Sequence, residues 1–261
     1  MYRVEQKYIV TEDTIAYLKK RLETCMAYDS HAGAEGYTIR SIYFDDMYDT
    51  CFAENESGTD PREKFRIRAY NGSKDLISLE LKSKRKGYIR KENQKISLAL
   101  CNSIMDRRFP SMAQLRSNSV FENDATIAEK KESLRDELSG AASEDGYLYK
   151  KLYGKYLGFR TQPVCIIEYE RVAFVDRIGN VRITFDRNIG ISEEIGDFFS
   201  DRLPCLPVLP RGMHILEVKY DELLPDLYRS ILKECSLQRT DFSKYYYGRM
   251  ALKEFYKGEW K

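Results

Sequence analysis

This chain is poor in the residues that many enzymes rely on. It has one tryptophan and two histidines, His31 and His214, too few for a His-rich metal centre or a His-dependent triad. Its six cysteines, Cys25, Cys51, Cys101, Cys165, Cys205 and Cys235, are never closer than 26 positions. No Cys-x-x-Cys pair exists, which excludes a zinc ribbon or a dithiol redox motif. Such scattered thiols fit a reducing compartment, and a cytoplasmic protein is expected. There is no Gly-x-x-x-x-Gly-Lys-[Ser/Thr] phosphate loop. No apolar run approaches the roughly 18 residues of a membrane helix, so no transmembrane segment is expected, and Met1–Lys7 carries no apolar signal core. Nothing in the sequence specifies a membrane-protein partner.

Apolar material is plentiful. Of 261 residues, 43% are hydrophobic and 13% aromatic, enough for a substantial core and too much for a disordered chain. Net charge is only +2, but it is segregated. Residues 62–95 hold twelve Lys/Arg against four acids, a local +8 that leaves −6 for the remainder. A local excess of this kind points to a polyanionic partner.

Period-two patterning predicts strands over 2–10, 37–44, 62–70, 76–84, 87–97, 163–175, 180–189 and 212–220. Thr11-Glu12-Asp13 resembles an N-cap before a helix reaching about residue 27. Asn71-Gly72-Ser73, Lys86-Gly87 and Gly179-Asn180 supply turns. Pro204 to Pro210 reads as a rigid loop, and helices are predicted near 225–235 and 241–257. Residues 98–160 change to helical spacing (Tyr147, Leu148, Leu152, Tyr156), with a looser stretch near Leu138 to Asp145. The expected architecture is α+β, one domain over 1–261 with a helical insertion at about 98–160.

The alternation on the strands carries the functional signal. In Lys64-Phe65-Arg66-Ile67-Arg68-Ala69 the bases share one face and the apolar residues the other. Glu80, Lys82 and Lys84 share a face, as do Glu5 and Lys7, Tyr169 and Arg171, Arg182, Thr184 and Asp186, and Glu217 and Lys219. One such strand is an ordinary sheet with a wet face. A whole series, converging inside a barrel with the apolar faces turned out under helices, would form a cationic bore. Like charges lining a cavity cost folding free energy, so a phosphate-rich ligand is the partner that makes sense of them. Mg²⁺ and Mn²⁺ take oxygen ligands, with phosphate oxygens completing the shell. Glu217, Glu5 and Glu80 are inward candidates. Salt bridging and metal ligation weigh equally for Glu5 and Glu80, and metal ligation is favoured for Glu217.

These residues resemble a known family. Arg3-x-Glu5-x-Lys7-Tyr8, Ile39-Arg40-Ser41-Ile42-Tyr43-Phe44-Asp45, Lys64-x-Arg66-Ile67-Arg68-x-Tyr70, Leu79-Glu80-x-Lys82, Tyr169-x-Arg171, Val181-Arg182-Ile183-Thr184-Phe185-Asp186, Leu216-Glu217-Val218-Lys219-Tyr220 and Phe242-Ser243-Lys244-Tyr245 are similar to the VTC domain. That is the polyphosphate polymerase domain of the vacuolar transporter chaperone complex, in the CYTH/triphosphate tunnel metalloenzyme superfamily. The resemblance implies an antiparallel eight-stranded β-barrel with helices packed outside. It implies a phosphotransferase moving the γ-phosphate of ATP onto a polyphosphate chain with Mn²⁺ or Mg²⁺.

Carried over, Arg66, Arg68, Arg171, Arg182 and Lys82 would be catalytic. Lys7, Arg40, Lys95, Tyr169, Ser243 and Lys244 would bind substrate, and Glu217 the metal. The SPX domain and membrane helices of the eukaryotic subunits have no counterpart expected in this sequence, so the resemblance does not extend to an expectation of regulation by inositol phosphates. A tunnel of this kind could also hydrolyse triphosphate, or bind polyphosphate without turnover. Nucleic acid is weighed lowest, because strict strand alternation does not suit a flat basic face.

Overall fold

The computed structural model describes residues 3–29, 33–86, 88–117 and 146–258. The chain divides into two compact units, each assembled from separated stretches. One comprises Met1–Ile39, Ile167–Ile191 and Cys205–Lys261, and the other Arg40–Ile166 and Ser192–Pro204.

The first unit is built on β1 (Arg3–Thr11), β7 (Gln162–Asp176, from Ile167 onward), β8 (Val181–Ser192, up to Ile191) and β10 (Met213–Asp221). The short strands β2 (Ala27–Tyr28), β9 (Leu206–Pro207) and β11 (Gln238–Thr240) join them. Hydrogen bonding runs β11-β1-β10-β8-β7, with β2 on β7 and β9 on β8. One sheet face is apolar. Val10, Leu216, Val218, Ile183, Phe185 and Phe174 pack under Ile15, Leu18 and Leu22 of α1 (Glu12–Leu22) and under Tyr228, Ile231 and Leu232 of a later helix, Asp226–Lys233. Each such side chain, fully buried, contributes roughly 1.5–3 kcal/mol. The predicted cap of α1 is present, the Thr14 amide donating to Thr11 Oγ1 at 3.4 Å. His214 is buried against Glu12, its Nε2 2.7 Å from Oε1, and has a packing role. His31 and Trp260 lie outside the described residues.

The second unit pairs β3 (Tyr37–Asp45, from Arg40 onward), β4 (Arg62–Tyr70), β5 (Ile77–Arg85) and β6 (Tyr88–Ile96) in that order. Asn71 and Gly72 both take positive φ (51° and 64°), so the β4–β5 connection needs these turn residues. Helix α2 (Thr50–Glu56) follows β3. The insertion is helical at both ends: α3 (Leu98–Met105) and α4 (Met112–Ser117) at its start, α5 (Tyr147–Phe159) at its end. Residues 118–145, including the stretch near Leu138 to Asp145, lie outside the described residues. Phe65, Ile67, Leu79, Leu81 and Ile96 pack beneath Leu100, Ile104, Leu148, Tyr149 and Leu152. Gln94 of β6 accepts from the Leu148 and Tyr149 amides at 3.2 and 3.3 Å and so caps α5, whose own N-cap is Gly146. In each unit, then, the apolar sheet face lies under helices and the ionic face is the opposite one.

The α+β reading stands, and the barrel needs correction. Eleven strands form among the described residues; β11 bonds only to β1 and β6 only to β5, so the pairing of a closed ring is not found. Eight of the strands have nine residues or more, the number that alternation predicts. The other three have two or three residues, too few to show alternation.

Candidate functional site

In the first unit the register assembles the ionic face. Glu5 lies opposite Lys219 and Lys7 opposite Glu217 across β1–β10; Lys219 then faces Arg182 and Glu217 faces Thr184 across β10–β8. The two helices of the C-terminal part are α6 (Asp226–Lys233) and α7 (Lys244–Lys257). Helix α7 begins at the same face because it seats closely on the sheet: a Cβ on Gly248 would fall 2.7 Å from Ile167 Cδ1 and 2.9 Å from Ile191 Cδ1. Its first residue, Lys244, thereby reaches Asp186.

The centre is Asp186, 0% exposed. Arg171 grips it through Nε and Nη2 at 2.6 and 2.7 Å, and Lys244 Nζ lies 2.5 Å away. Arg171 Nη2 also donates to Glu217 at 3.5 Å, while Lys219 pairs with Glu217 at 3.1 Å and with Glu5 at 3.8 Å. Tyr169 lies beneath both cations, its ring centroid 5.2 Å from the Arg171 guanidinium carbon and 4.8 Å from Lys244 Nζ. Lys7 pairs with Glu5 at 3.3 Å and donates to the Phe242 carbonyl at 2.9 Å.

Burial alone would raise the carboxyls of Asp186 and Glu217. Arg171 and Lys244 reverse this for Asp186, and Lys219, a hydrogen bond with Glu5, Lys244 and Arg171 reverse it for Glu217. Both are held below their ordinary range, Glu217 well below. Burial opposes the charge of Arg171 and Lys244, and their anionic neighbours, Asp186 first, raise both above their usual values.

In the second unit β4, β5 and β6 present three rows of directly opposed residues: Lys64–Lys82–Lys91, Arg66–Glu80–Asn93 and Arg68–Ser78–Lys95. Glu80 is buried and accepts from Arg66 Nε and Nη2 at 2.8 and 2.5 Å, with Lys91 at 3.2 Å and Arg68 at 3.8 Å. Burial would lift its carboxyl, but Arg66, Arg68 and Lys91 bring it to about 2. Arg68 also donates to Ser41 Oγ at 3.2 Å, and Arg66 to the Tyr43 hydroxyl at 3.3 Å.

The structure therefore gathers Lys7, Tyr169, Arg171, Glu217 and Lys244 in one cluster, and Arg66, Arg68, Lys82 and Lys95 on one face of the other unit. Arg182 faces Lys219 but is engaged by Asp29 at 2.6 Å and the Tyr37 hydroxyl at 3.2 Å, beside a cavity of about 740 Å³ lined by Cys25, Tyr28, Asp29, Arg177 and Asn180. Ser243 is the N-cap of α7, accepting from the Tyr246 amide at 3.4 Å. Arg40 lies on the strand face of Ile42 and Phe44, donating to the Phe198 and Ser200 carbonyls at 3.0 and 2.5 Å. Asp186, Lys219, Tyr43, Lys64 and Lys91 are central here and were given no site role by the sequence reading, although it placed Lys64, Asp186 and Lys219 on ionic strand faces.

Whether a divalent ion fits can be judged from the donors. No group of three or more acidic, His or Cys side chains makes a metal cage among the described residues. Glu217 and Glu5 bring two carboxylates to one place. Thr184, opposite Glu217 and 2% exposed, has a buried hydroxyl without a hydrogen-bond partner. Mg²⁺-type ions are commonly held by one or two carboxylates plus substrate phosphates, and this donor set suits that mode.

An antiparallel α+β sheet protein with buried cations paired to carboxylates on its polar strand faces is thus defined. The chain belongs to the VTC domain family, whose model matches residues 2–253. Compared with curated proteins, the sequence matches none. Among solved structures it is similar to the PH1819 protein of Pyrococcus horikoshii OT3, at 13% identity over 97% of this chain and 99% of that one, TM-score 0.43. It is similar to a Vibrio parahaemolyticus protein provisionally assigned as an adenylate cyclase, at 12% identity over 93% and 95%, TM-score 0.44. A chain of the Schizosaccharomyces pombe Mediator head module matches at 9% identity over 92% and 100%, TM-score 0.44. Overlaps this loose carry no activity to the present chain. All six cysteines are free thiols, and no described helix is long and apolar enough to cross a membrane.

Proposed function

We propose that this VTC domain protein is a phosphotransferase that moves the γ-phosphate of ATP onto a polyphosphate chain, in a basic, metal-dependent tunnel of the kind its family implies. The observation that carries this reading is the Arg171–Asp186–Lys244–Glu217 cluster. Two cations are buried there beside carboxylates that neutralise them, an arrangement costly as mere scaffolding and useful where phosphoryl charge must be met.

Phosphoryl transfer asks the protein for alignment and for charge already in place. Arg171 offers a planar fork for two phosphate oxygens, as do Arg66 and Arg68. Lys7, Lys82, Lys95 and Lys244 add point charges. Tyr169 holds Arg171 and Lys244 in orientation by its ring face. Glu217, with Glu5 beside it, would hold Mn²⁺ or Mg²⁺, which when bound neutralises and orients phosphate oxygens. The accepting group is the terminal phosphate of the chain, already nucleophilic, so no general base is required of the protein. Arg182 would bind phosphate by giving up Asp29. Arg40 and Ser243 would act through the loop and the helix start they hold in place.

Incubation with ATP and Mn²⁺ followed by phosphorus NMR tests this. Condensed phosphate with internal phosphoryl resonances is the expected product. Stoichiometric free phosphate without chains would make the protein a hydrolase, and intact ATP alongside measurable affinity would make it a binding module. The same sample chelated with EDTA is expected to be inactive.

A further inference from the structure

In Arg40-Ser41-Ile42-Tyr43, alternation puts Ser41 and Tyr43 together on the strand face opposite to that of Arg40. Each meets one arginine of β4. Ser41 Oγ accepts from Arg68 Nε at 3.2 Å, and the Tyr43 hydroxyl accepts from Arg66 Nη1 at 3.3 Å. The Arg66 guanidinium is thereby held on two sides, by Glu80 at Nε and Nη2 and by Tyr43 at Nη1. A fork fixed in this way loses little freedom when it takes a phosphate. Tyr43 is buried and faces cations: Arg66, Arg68 and Lys64, whose Nζ lies 5.9 Å from its ring centroid. Glu80 of β5 pairs with Arg66, and Lys91 of β6 with Glu80. Lys64 donates to Asn55 of α2 and is influenced by Cys51 of that helix, whose thiol burial pushes up to about 12 and keeps neutral. Burial would raise the Tyr43 phenol, yet Arg66, Lys64 and Arg68 push it down to about 8.

We propose that Tyr43 is a positioning residue for Arg66, whose neutral hydroxyl orients that guanidinium for phosphate and whose phenolate competes with phosphate for its charge. The inference rests on the phosphate reading of this face and adds to it control by the charge of one β3 side chain. The neutral hydroxyl accepts from Arg66 and leaves the guanidinium its full charge. An ionised hydroxyl sets a negative charge at the same nitrogen. A phosphoryl group arriving there meets a cation already neutralised and an anion that repels it. By reciprocity, a bound phosphate makes the phenol harder to ionise.

Calorimetric titration of inorganic tripolyphosphate into wild type and Tyr43→Phe, from about pH 6.5 to about pH 9.5, tests it. Phenylalanine keeps the packed ring and removes only the hydroxyl. The ratio of wild-type to variant affinity cancels the ionisation of the ligand and of every group the two proteins share. Wild type is expected to bind more tightly at neutral pH, and the ratio to fall about tenfold as the phenol ionises. Ultraviolet difference titration of wild type with and without tripolyphosphate gives a reading that needs no variant: a phenol ionising near pH 8 that the ligand moves upward. If Tyr43→Phe does not fold, this reading alone carries the comparison. A ratio that stays constant or rises with pH, or the lack of any ligand-responsive phenol in that range, overturns the role of Tyr43 while leaving the phosphate face standing. A wild-type protein that binds no tripolyphosphate at any pH overturns the phosphate reading itself.

Discussion

Glu217→Gln is expected to lower metal-dependent turnover of ATP by about 100-fold or more, with the fold retained. Glutamine keeps the shape and one acceptor for Lys219 and Arg171 but removes the charge a divalent ion requires. Chelation should abolish wild-type activity and change the variant little further. Because the Glu217 carboxyl is held well below its ordinary range, it stays ionised at every pH in which the enzyme would be assayed. The ratio of variant to wild-type rates should therefore be flat from about pH 6 to 9. Full metal-dependent turnover in the variant would remove Glu217 from the metal role.

Asp186→Asn should affect stability most. The substitution leaves Arg171 and Lys244 buried with their principal counter-ion gone, a change worth about 3–5 kcal/mol in urea unfolding. The folded carboxyl titrates below its unfolded value, so its contribution is complete above the unfolded pKa of about 3.9 and is lost as pH falls through the folded value. The gap between wild type and variant is therefore expected at pH 7 and should narrow below about pH 4. Tripolyphosphate should restore part of the lost stability, since it supplies negative charge to the folded state alone. A variant as stable as wild type at neutral pH would mean that the Arg171–Asp186–Lys244 cluster is not closed in solution.

Much of this was legible in the sequence, for identifiable reasons. Strands such as β1, β4, β5, β8 and β10 announce themselves because one face is mainly apolar and the other ionic, a pattern that a one-residue slip would destroy. Helix α1 is legible through Thr11, and the β4–β5 turn through Asn71-Gly72. Strands β2, β9 and β11 are held by long-range pairing, which leaves no local signal. Arg40 shows where a motif misleads: alternation places it with Ile42 and Phe44, and the structure has it binding loop carbonyls. Asp186 shows the reverse. Alternation places it beside Arg182 and Thr184, but a search for cations that would hold phosphate passes over the carboxylate that organises them. Ser243 is expected from the resemblance to bind substrate, and the structure gives it a local role that the motif does not announce, as N-cap of α7 accepting from the Tyr246 amide.

The central claim is that the Arg171 and Lys244 charges are kept buried for phosphate. A crystal structure with tripolyphosphate and Mn²⁺ tests it most directly. Phosphate oxygens should lie within hydrogen-bond reach of Arg171 and Lys244, with Mn²⁺ on Glu217. A bound triphosphate resting elsewhere, with the grip of Arg171 and Lys244 on Asp186 and Glu217 unaltered and no metal on Glu217, would contradict it.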